Sequence, residues 1–405
     1  MADGSNRSAR WLLAVVTFLI VYGSLFPFNF GGLDVHGPRE LLSRLTFART
    51  TRADIAINLL LYLPLGACLA WILTSRLGGA LAVAVATAAG ASLSLTIEIL
   101  QLFETRRVAS LADVALNATG ACAGALLAAT LLASRDRLGL PGLGALVRSP
   151  APTALALLWI GSRLAPFAPS LDPDKWHRAL TPLQGGLDLS RAWIRWAVPY
   201  LVLAEALRAA TRRDSGVWPL ALVACVVFTG RILVVGKEVV PAEVAGMLAA
   251  LVLAWINGFL DEKMIATLLS VAIAALLVSE QLVPFAPDLS RWEFGWVPFA
   301  GSLGRLFGVG LIALFRDCFL YGALVWLLCR SGIAVGGATL LAAGFVFGLE
   351  LLQAVLPGRS GDITDPLLTL ATGALLALFD PAMGAESGRA GSRGAWSAAR
   401  GRRSR

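Results

Sequence analysis

The sequence contains long, nearly uninterrupted apolar runs, and these constrain the fold more than any other feature. A transmembrane helix needs about 20 predominantly apolar residues. Such runs occupy residues 11–30, 53–73, 79–103, 110–133, 150–166, 192–210, 217–236, 239–260, 265–285, 306–329, 333–355 and 363–380. They have helical length and lack the short alternating segments of an outer-membrane barrel. We therefore predict an all-α, polytopic transmembrane helix bundle with about 12 spans.

The overall composition points to the same class. Hydrophobic residues make up 57% of the chain and charged residues only 15%, and the mean hydropathy is +0.74. These values lie outside the range of soluble globular domains. The net charge of +8 does not indicate a nucleic-acid-binding protein, because the basic residues flank the apolar runs and collect in the C-terminal tail. No nucleic-acid partner is predicted.

The positions of the basic residues predict the orientation of the chain. With an even number of spans both termini lie on one side of the membrane, and short loops rich in lysine and arginine face the cytoplasm. We predict a disordered basic tail over residues 381–405 and place both termini in the cytoplasm. The tail carries six arginines: Arg389, Arg393, Arg400, Arg402, Arg403 and Arg405.

A charged motif between two apolar runs occurs twice. In residues 348–368 it contains Glu350, Gln353, Arg359, Asp362 and Asp365. In residues 96–124 a glutamate is again followed by glutamine after three residues, arginine after nine and aspartate after fifteen. The members of this first copy are Glu98, Gln101, Arg107 and Asp113, with Asn117 one helical turn further on.

Proline-phenylalanine pairs precede both copies of the motif, in LFPFNF at 25–30 and LVPFAP at 282–287, and a third pair occurs in LAPFAP at 164–169. A count of 65 residues from the third pair reaches Arg231 at the end of another apolar run. We predict three repeated four-helix units, 1–133, 150–260 and 265–380, with a degenerate middle unit that has Arg231 and Val234 in place of glutamate and glutamine. These ranges are called the first, middle and third segments below.

These motifs resemble the VanZ-like family of bacterial membrane proteins. The resemblance rests on ADIAINLLLYLPLG at 53–66, IEILQLF at 97–103, Arg107, LADVALNATGACAG at 111–124 and, in the third segment, ELLQAVLPGRSGDITD. Two positions of the third segment depart from the pattern of the first. Thr369 is at the position of Asn117, and Asp317 is close to the position of Asn58. The resemblance implies a multi-pass protein of the bacterial inner membrane with a cell-envelope role. The namesake of the family is associated with glycopeptide resistance, and the family lends no settled biochemical activity.

The charged residues predict a polar chamber at one membrane boundary. Glu and Gln three apart share a helix face, as do Asp113 and Asn117 four apart. Asp54, Asn58 and Asp317 are predicted to support the chamber, and Arg231 is predicted to meet Glu98, Glu350 or both. Burying a charged side chain in a membrane costs free energy unless the charge is paired or in contact with water. A purely structural clasp that locks each hairpin remains the alternative to a binding site. Gly120-x-x-x-Gly124 predicts close helix packing.

Three functions remain open from the sequence. The first is a non-enzymatic envelope protein that binds a membrane lipid or a lipid-linked cell-wall or polysaccharide precursor at the outer face. The second is a transporter or lipid translocase with intramembrane carboxylates. The third is a membrane-embedded transferase or hydrolase that uses paired acids. No catalytic residue, cofactor or metal site is assigned, because the chain has no phosphate-binding glycine loop and only two distant histidines.

Overall fold

The structure is a computed structural model of the whole chain. It describes residues 2–26, 28–31, 47, 52–104, 109–134, 149–186, 192–211, 217–257, 260–288, 292–300 and 307–379, but not the side chains of 2–8, 52–54, 307–309 and 311. The chain divides into two compact units. The first contains Met1–Leu140, Pro166–Ala168 and Ala300–Gly308, and the second contains Pro141–Ala165, Pro169–Phe299 and Val309–Arg405.

Four helices make up the first segment: α1 Ala2–Leu25, α2 Arg52–Leu77, α3 Gly79–Gln101 and α4 Leu111–Ser134. Helices α2 and α4 pack very closely. A Cβ at Gly124 would lie 1.9 Å from the carbonyl oxygen of Leu63, and one at Gly120 would lie 2.3 Å from that of Leu59. The prediction that this glycine pair serves close packing is therefore confirmed.

The middle segment contains α5 Pro150–Leu164, α6 Pro173–Leu180, the 3-10 turn Thr181–Gly185, α7 Ala192–Thr211, α8 Val217–Leu233 and α9 Pro241–Asn257. Helix α6 was not expected from the apolar runs. Asp172 caps its N-terminus by accepting a hydrogen bond from the backbone N–H of Asp174, and proline occupies its first turn. Both features are typical of a helix start.

The third segment contains α10 Glu262–Leu282, α11 Phe307–Arg330, α12 Val335–Gln353 and α13 Thr364–Phe379. A minimal parallel pairing joins β1 Phe294–Gly295 to β2 Gly361–Asp362. In the core of the second compact unit the Trp159 ring lies 5.2 Å from that of Tyr200 and 5.0 Å from that of Phe319. Aromatic rings from the middle and third segments therefore pack together.

The prediction of an all-α membrane bundle is confirmed. Every predicted apolar run is a helix in the structure. Among the described residues six helices are long and apolar enough to cross a membrane: Ile55–Leu77, Gly79–Gln101, Leu111–Ala133, Glu262–Leu282, Ile312–Arg330 and Val335–Gln353. Four further apolar helices are shorter: Ala9–Leu25, Val217–Leu233, Pro241–Asn257 and Thr364–Leu378. The count of twelve spans stays a prediction.

The loop after the first apolar helix of each segment makes an equivalent backbone hydrogen bond to the end of the third apolar helix, where α6 is not counted among the apolar helices. The donor is the N–H three residues after the phenylalanine of each Pro-Phe pair. Gly31 donates to the carbonyl of Phe103 at 2.7 Å, Ser170 to Leu233 at 2.7 Å and Asp288 to Val355 at 2.8 Å. The loop is thereby joined to the end of the third apolar helix, where the charged motif lies in the first and third segments.

Candidate polar site

In the first segment Glu98 and Gln101 are buried, and each binds another part of the segment. The Glu98 carboxylate, 4% exposed, accepts a hydrogen bond of 2.7 Å from the Ser110 N–H. Gln101 Nε2 donates to the Ser24 carbonyl at 2.8 Å. The Glu98 side chain therefore closes the turn between α3 and α4, and the Gln101 side chain joins α3 to α1.

The next two polar positions of the first segment also join helices. Asn58 Nδ2 donates to Asp113 Oδ1 at 2.9 Å, and Asn117 Nδ2 donates to Ser94 Oγ at 2.9 Å. Arg107 lies outside the described residues. Asp54 lies in α2, but its side chain is outside the described part of the structure.

In the third segment the corresponding carboxylate makes the same kind of contact. Glu350 Oε2 accepts a hydrogen bond of 2.9 Å from the Asp362 N–H, and Glu350 Oε1 accepts one of 2.9 Å from Gln353 Nε2. The Tyr321 hydroxyl donates to the Asp365 carboxylate. The Asp365 and Glu350 carboxyl groups also interact with each other. Two acids thus share one buried site beside a tyrosine.

Two other predicted residues of this hairpin have local structural contacts. Arg359 donates to the backbone carbonyls of Glu280 at 3.1 Å and Val283 at 3.0 Å. In the described residues it therefore binds carbonyl groups, and not the carboxylates whose repulsion it was expected to offset. Asp362 Oδ1 accepts a hydrogen bond of 2.7 Å from the Thr364 N–H at the start of α13. Thr369 Oγ1 donates to the Asp365 carbonyl within its own helix.

The middle segment has a different charge arrangement. Glu243, fully buried, accepts hydrogen bonds from Arg231 and, at 2.7 Å, from Arg163 Nη2. The Tyr200 hydroxyl donates to the other oxygen of Glu243 at 3.0 Å. Arg163 also stacks near two indole rings, 4.4 Å from the centroid of Trp196. Arg231 therefore pairs with Glu243 of its own segment and not with Glu350, which corrects the predicted centre.

The backbone hydrogen bonds also correct the position given to Arg231. In the first and third segments the acceptors Phe103 and Val355 lie five residues after the motif glutamates Glu98 and Glu350. The acceptor of the middle segment is Leu233, so the residue equivalent to the glutamate is Phe228, five residues before it. Arg231 then corresponds to Gln101 and Gln353. The count from Pro166 failed because the loop length differs. From Phe228, Lys237 lies nine residues on, where the other segments have arginine, and Glu243 lies fifteen on, where they have aspartate.

A buried tyrosine lies in the second apolar helix of each segment, α2, α7 and α11, and was not predicted from the sequence. Tyr62, Tyr200 and Tyr321 are at most 1% exposed. Tyr62 lies four residues after Asn58 and is close enough to Ser94 to interact with its hydroxyl group. Tyr321 lies four residues after Asp317 and donates a hydrogen bond to Asp365. Only four tyrosines occur in the chain, so their spacing from Asn58 and Asp317 could have identified them.

Charged residues link the middle and third segments within the second compact unit. Arg316 Nε donates to Asp317 Oδ1 at 3.1 Å, and Arg316 lies 3.9 Å from the Glu280 carboxylate. Arg195 lies 3.5 Å from the same carboxylate. Arg316 is also close enough to Arg163 for their charges to interact. We call the residues Glu243, Arg231, Arg163, Arg316, Asp317, Asp365 and Glu350 the polar chain.

The composition of the polar chain limits the chemistry that it can perform. It contains carboxylates and guanidinium groups, which bind hydroxyl, amine and phosphate groups, and two of its carboxylates accept hydrogen bonds from tyrosine hydroxyls. In the part of the chain that the structure describes, no group of three or more His, Cys, Asp and Glu is arranged to hold a metal ion. The carboxylates and guanidinium groups of the polar chain suit recognition of a polar group.

One part of the chain matches a known family. The chain is a helical membrane protein whose residues 11–132 match the family model described as VanZ/LLP1. This region is the VanZ-like part of the chain, and it coincides with helices α1–α4 apart from their outermost residues. No significant match exists among curated proteins or solved structures. The membership of the middle and third segments is therefore a matter of proposal.

Proposed function

We propose that this VanZ-like membrane protein serves the bacterial cell envelope by binding the head group of a lipid or lipid-linked glycan. The polar chain of the middle and third segments would form the binding site, at the outer face of the inner membrane. The three segments would be copies of one four-helix unit. Their matching tyrosines and loop hydrogen bonds support this view.

The observation that carries the proposal is that Arg316 interacts electrostatically with Arg163 of the middle segment and binds Asp317 of the third, which in turn interacts electrostatically with Asp365. A clasp that only closes one hairpin needs partners within that hairpin. Here Arg316, half-exposed, lies between the charges of two segments and remains accessible. Charged groups within a membrane protein are costly and commonly mark a site for a substrate or ion. Carboxylates of the third segment can accept hydrogen bonds from sugar hydroxyls, and arginines can bind phosphate.

The test is the identity of lipids that copurify with the protein. We would express the wild-type chain in a bacterial host, extract it gently and analyse bound lipids by native mass spectrometry. We expect a lipid or lipid-linked glycan to be retained by the wild type and lost from Asp317→Asn, because this change removes the charge that orients Arg316.

Glu262→Gln is the matched control. Glu262 also pairs with arginines, Arg208 and Arg330, but it is exposed and lies at the opposite end of α10 from Glu280. This variant should retain the bound lipid. Equal retention by both variants, or a wild-type protein that carries no specific lipid, contradicts the proposal.

A further inference from the structure

The buried cluster around Glu243 contains more positive than negative charge. Arg163 and Arg231 both bind this one carboxylate, and their side chains are only 13% and 7% exposed. Tyr200 supplies a further hydrogen bond from α7. The cluster therefore retains one unbalanced guanidinium charge in a site with little access to water, which is unfavourable without an additional anion.

Lys237, in the loop before α9, adds to this positive charge. Its side chain is half-buried and makes no hydrogen bond or ion pair with the described residues. Burial, and then the charges of Arg163 and Arg231, lower the pKa of Lys237 to about 8. The lysine thus experiences a positive potential that Glu243 does not cancel.

The remaining charged neighbours do not remove the excess. Lys175 of α6 donates from Nζ to the carbonyls of Arg231 and Ile232, at 2.7 and 2.6 Å. Burial and the charge of Arg231 lower the pKa of Lys175 as well. Glu238 interacts with Arg231 but is exposed. The cluster of the middle segment thus contains four cations and two carboxylates, of which only Glu243 is buried. Arg316 of the third segment also acts on Arg163, but it has Asp317 and Glu280 as partners of its own.

The two arginines also have unused donors. Among the described residues, the buried Nε atoms of Arg163 and Arg231 have no hydrogen-bond partner. A buried N–H without an acceptor costs about 1–3 kcal/mol. In the third segment the equivalent basic residue, Arg359, donates to two backbone carbonyls and so differs from Lys237. The middle segment therefore combines excess charge with vacant donors.

We propose that Arg163, Arg231 and Lys237 form a binding site for a phosphate group. Phosphate offers several acceptor oxygens to guanidinium donors and carries the charge that the cluster lacks. The group could belong to a lipid head group or to free phosphate. If the phosphate belongs to a lipid, this inference rests on the proposed function and adds that the head group of the bound lipid carries a phosphate. Binding of inorganic phosphate in detergent does not depend on lipid binding.

The experiment measures phosphate affinity and the titration of Lys237 in the intact chain. Inorganic phosphate is titrated by calorimetry into detergent-solubilised protein at constant ionic strength. A parallel series uses nanodiscs of phosphatidylcholine with and without phosphatidic acid. The pKa of Lys237 is followed by NMR of isotopically methylated lysines, and Lys237→Gln assigns its signal. We expect a value near 8 without ligand and an increase with phosphate, because an adjacent anion favours the protonated amine.

Lys237→Gln and Lys263→Gln form a matched pair of variants. Each removes one lysine charge, but Lys263 is exposed and lies in the first turn of α10. Loss of one charge-assisted hydrogen bond should weaken phosphate binding about tenfold in Lys237→Gln. The Lys263→Gln variant should bind like the wild type.

The two ligand series identify the source and decide the proposal. Binding of inorganic phosphate supports a site for free phosphate. A Lys237 shift only with phosphatidic acid supports a lipid head group. Absence of binding and of any pKa shift in both series overturns the proposal, and so does equal weakening by the two variants. If no specific lipid copurifies but inorganic phosphate binds, the phosphate site stands while the proposed function fails.

Discussion

Glu243 is the residue on which the middle segment depends most, since one buried carboxylate binds two arginines. Removing one partner of a buried ion pair usually costs about 3–5 kcal/mol, because the other charge remains unpaired. We predict that Glu243→Gln lowers the free energy of unfolding by about this amount. Denaturant unfolding in detergent micelles measures the change.

Glu262→Gln serves as the comparison, since Glu262 binds two arginines while its side chain is 65% exposed. Exposed ion pairs contribute about 0–1 kcal/mol. The stability of this variant should therefore stay close to that of the wild type. Equal losses in the two variants would mean that Glu243 is not the buried centre described above.

Residue assignments were the least predictable part of the site. The spacing of Glu98, Gln101 and Asp113 could be transferred to the third segment because no insertion separates them from Glu350, Gln353 and Asp365. The middle segment could not be aligned by counting residues from Pro166, because the pattern of apolar residues does not determine the lengths of the loops. The backbone bond from Ser170 to Leu233 supplies the alignment.

At the scale of the helix pair, α2 and α4 approach closely because glycine leaves room for backbone contact. Gly124→Ala would place a methyl group against the Leu63 carbonyl. Overpacking of this kind typically costs about 1–3 kcal/mol. We predict a lower melting temperature for this variant in detergent, measured by tryptophan fluorescence or light scattering.

Gly344→Ala in α12 is the control, because a Cβ there would meet no atom within 4 Å. Alanine in a helix interior is favoured over glycine by about 0.5–1 kcal/mol. The melting temperature should be unchanged or raised. A decrease as large as that of Gly124→Ala would show that close packing of α2 and α4 is not the cause.

The elements were predictable to different degrees. The long helices follow from the apolar runs, since a membrane favours helices that satisfy their own backbone groups. Helix α6 has only eight residues and a polar composition, so hydropathy gives no signal for it. The Asp172-Pro173 pair was the available local indication. The polar chain depends on contacts between helices that are far apart in sequence. The periodicity of apolar residues along one sequence does not show which helices are in contact.

At the scale of the whole molecule, the orientation in the membrane stays a prediction. The basic tail predicts cytoplasmic termini by the positive-inside rule. A reporter fused after Gly384 should therefore be active in the cytoplasm, and one inserted at Gly358 in the turn after α12 should be active in the periplasm. Alkaline phosphatase and green fluorescent protein fusions measure this. The reversed pattern would remove the outer-face location of the proposed site.

The pairing of Arg231 with Glu243 has a consequence for biogenesis. The two charges end α8 and begin α9, and only residues 234–240 separate the helices. Each helix alone would present an unpaired charge near the membrane boundary as it leaves the translocon, at a cost below the roughly 2.5–3.5 kcal/mol that a charge costs at the bilayer centre. Together they can neutralise each other before the lipid encloses them. The middle segment thus has a physical reason to insert as a hairpin and not one helix at a time.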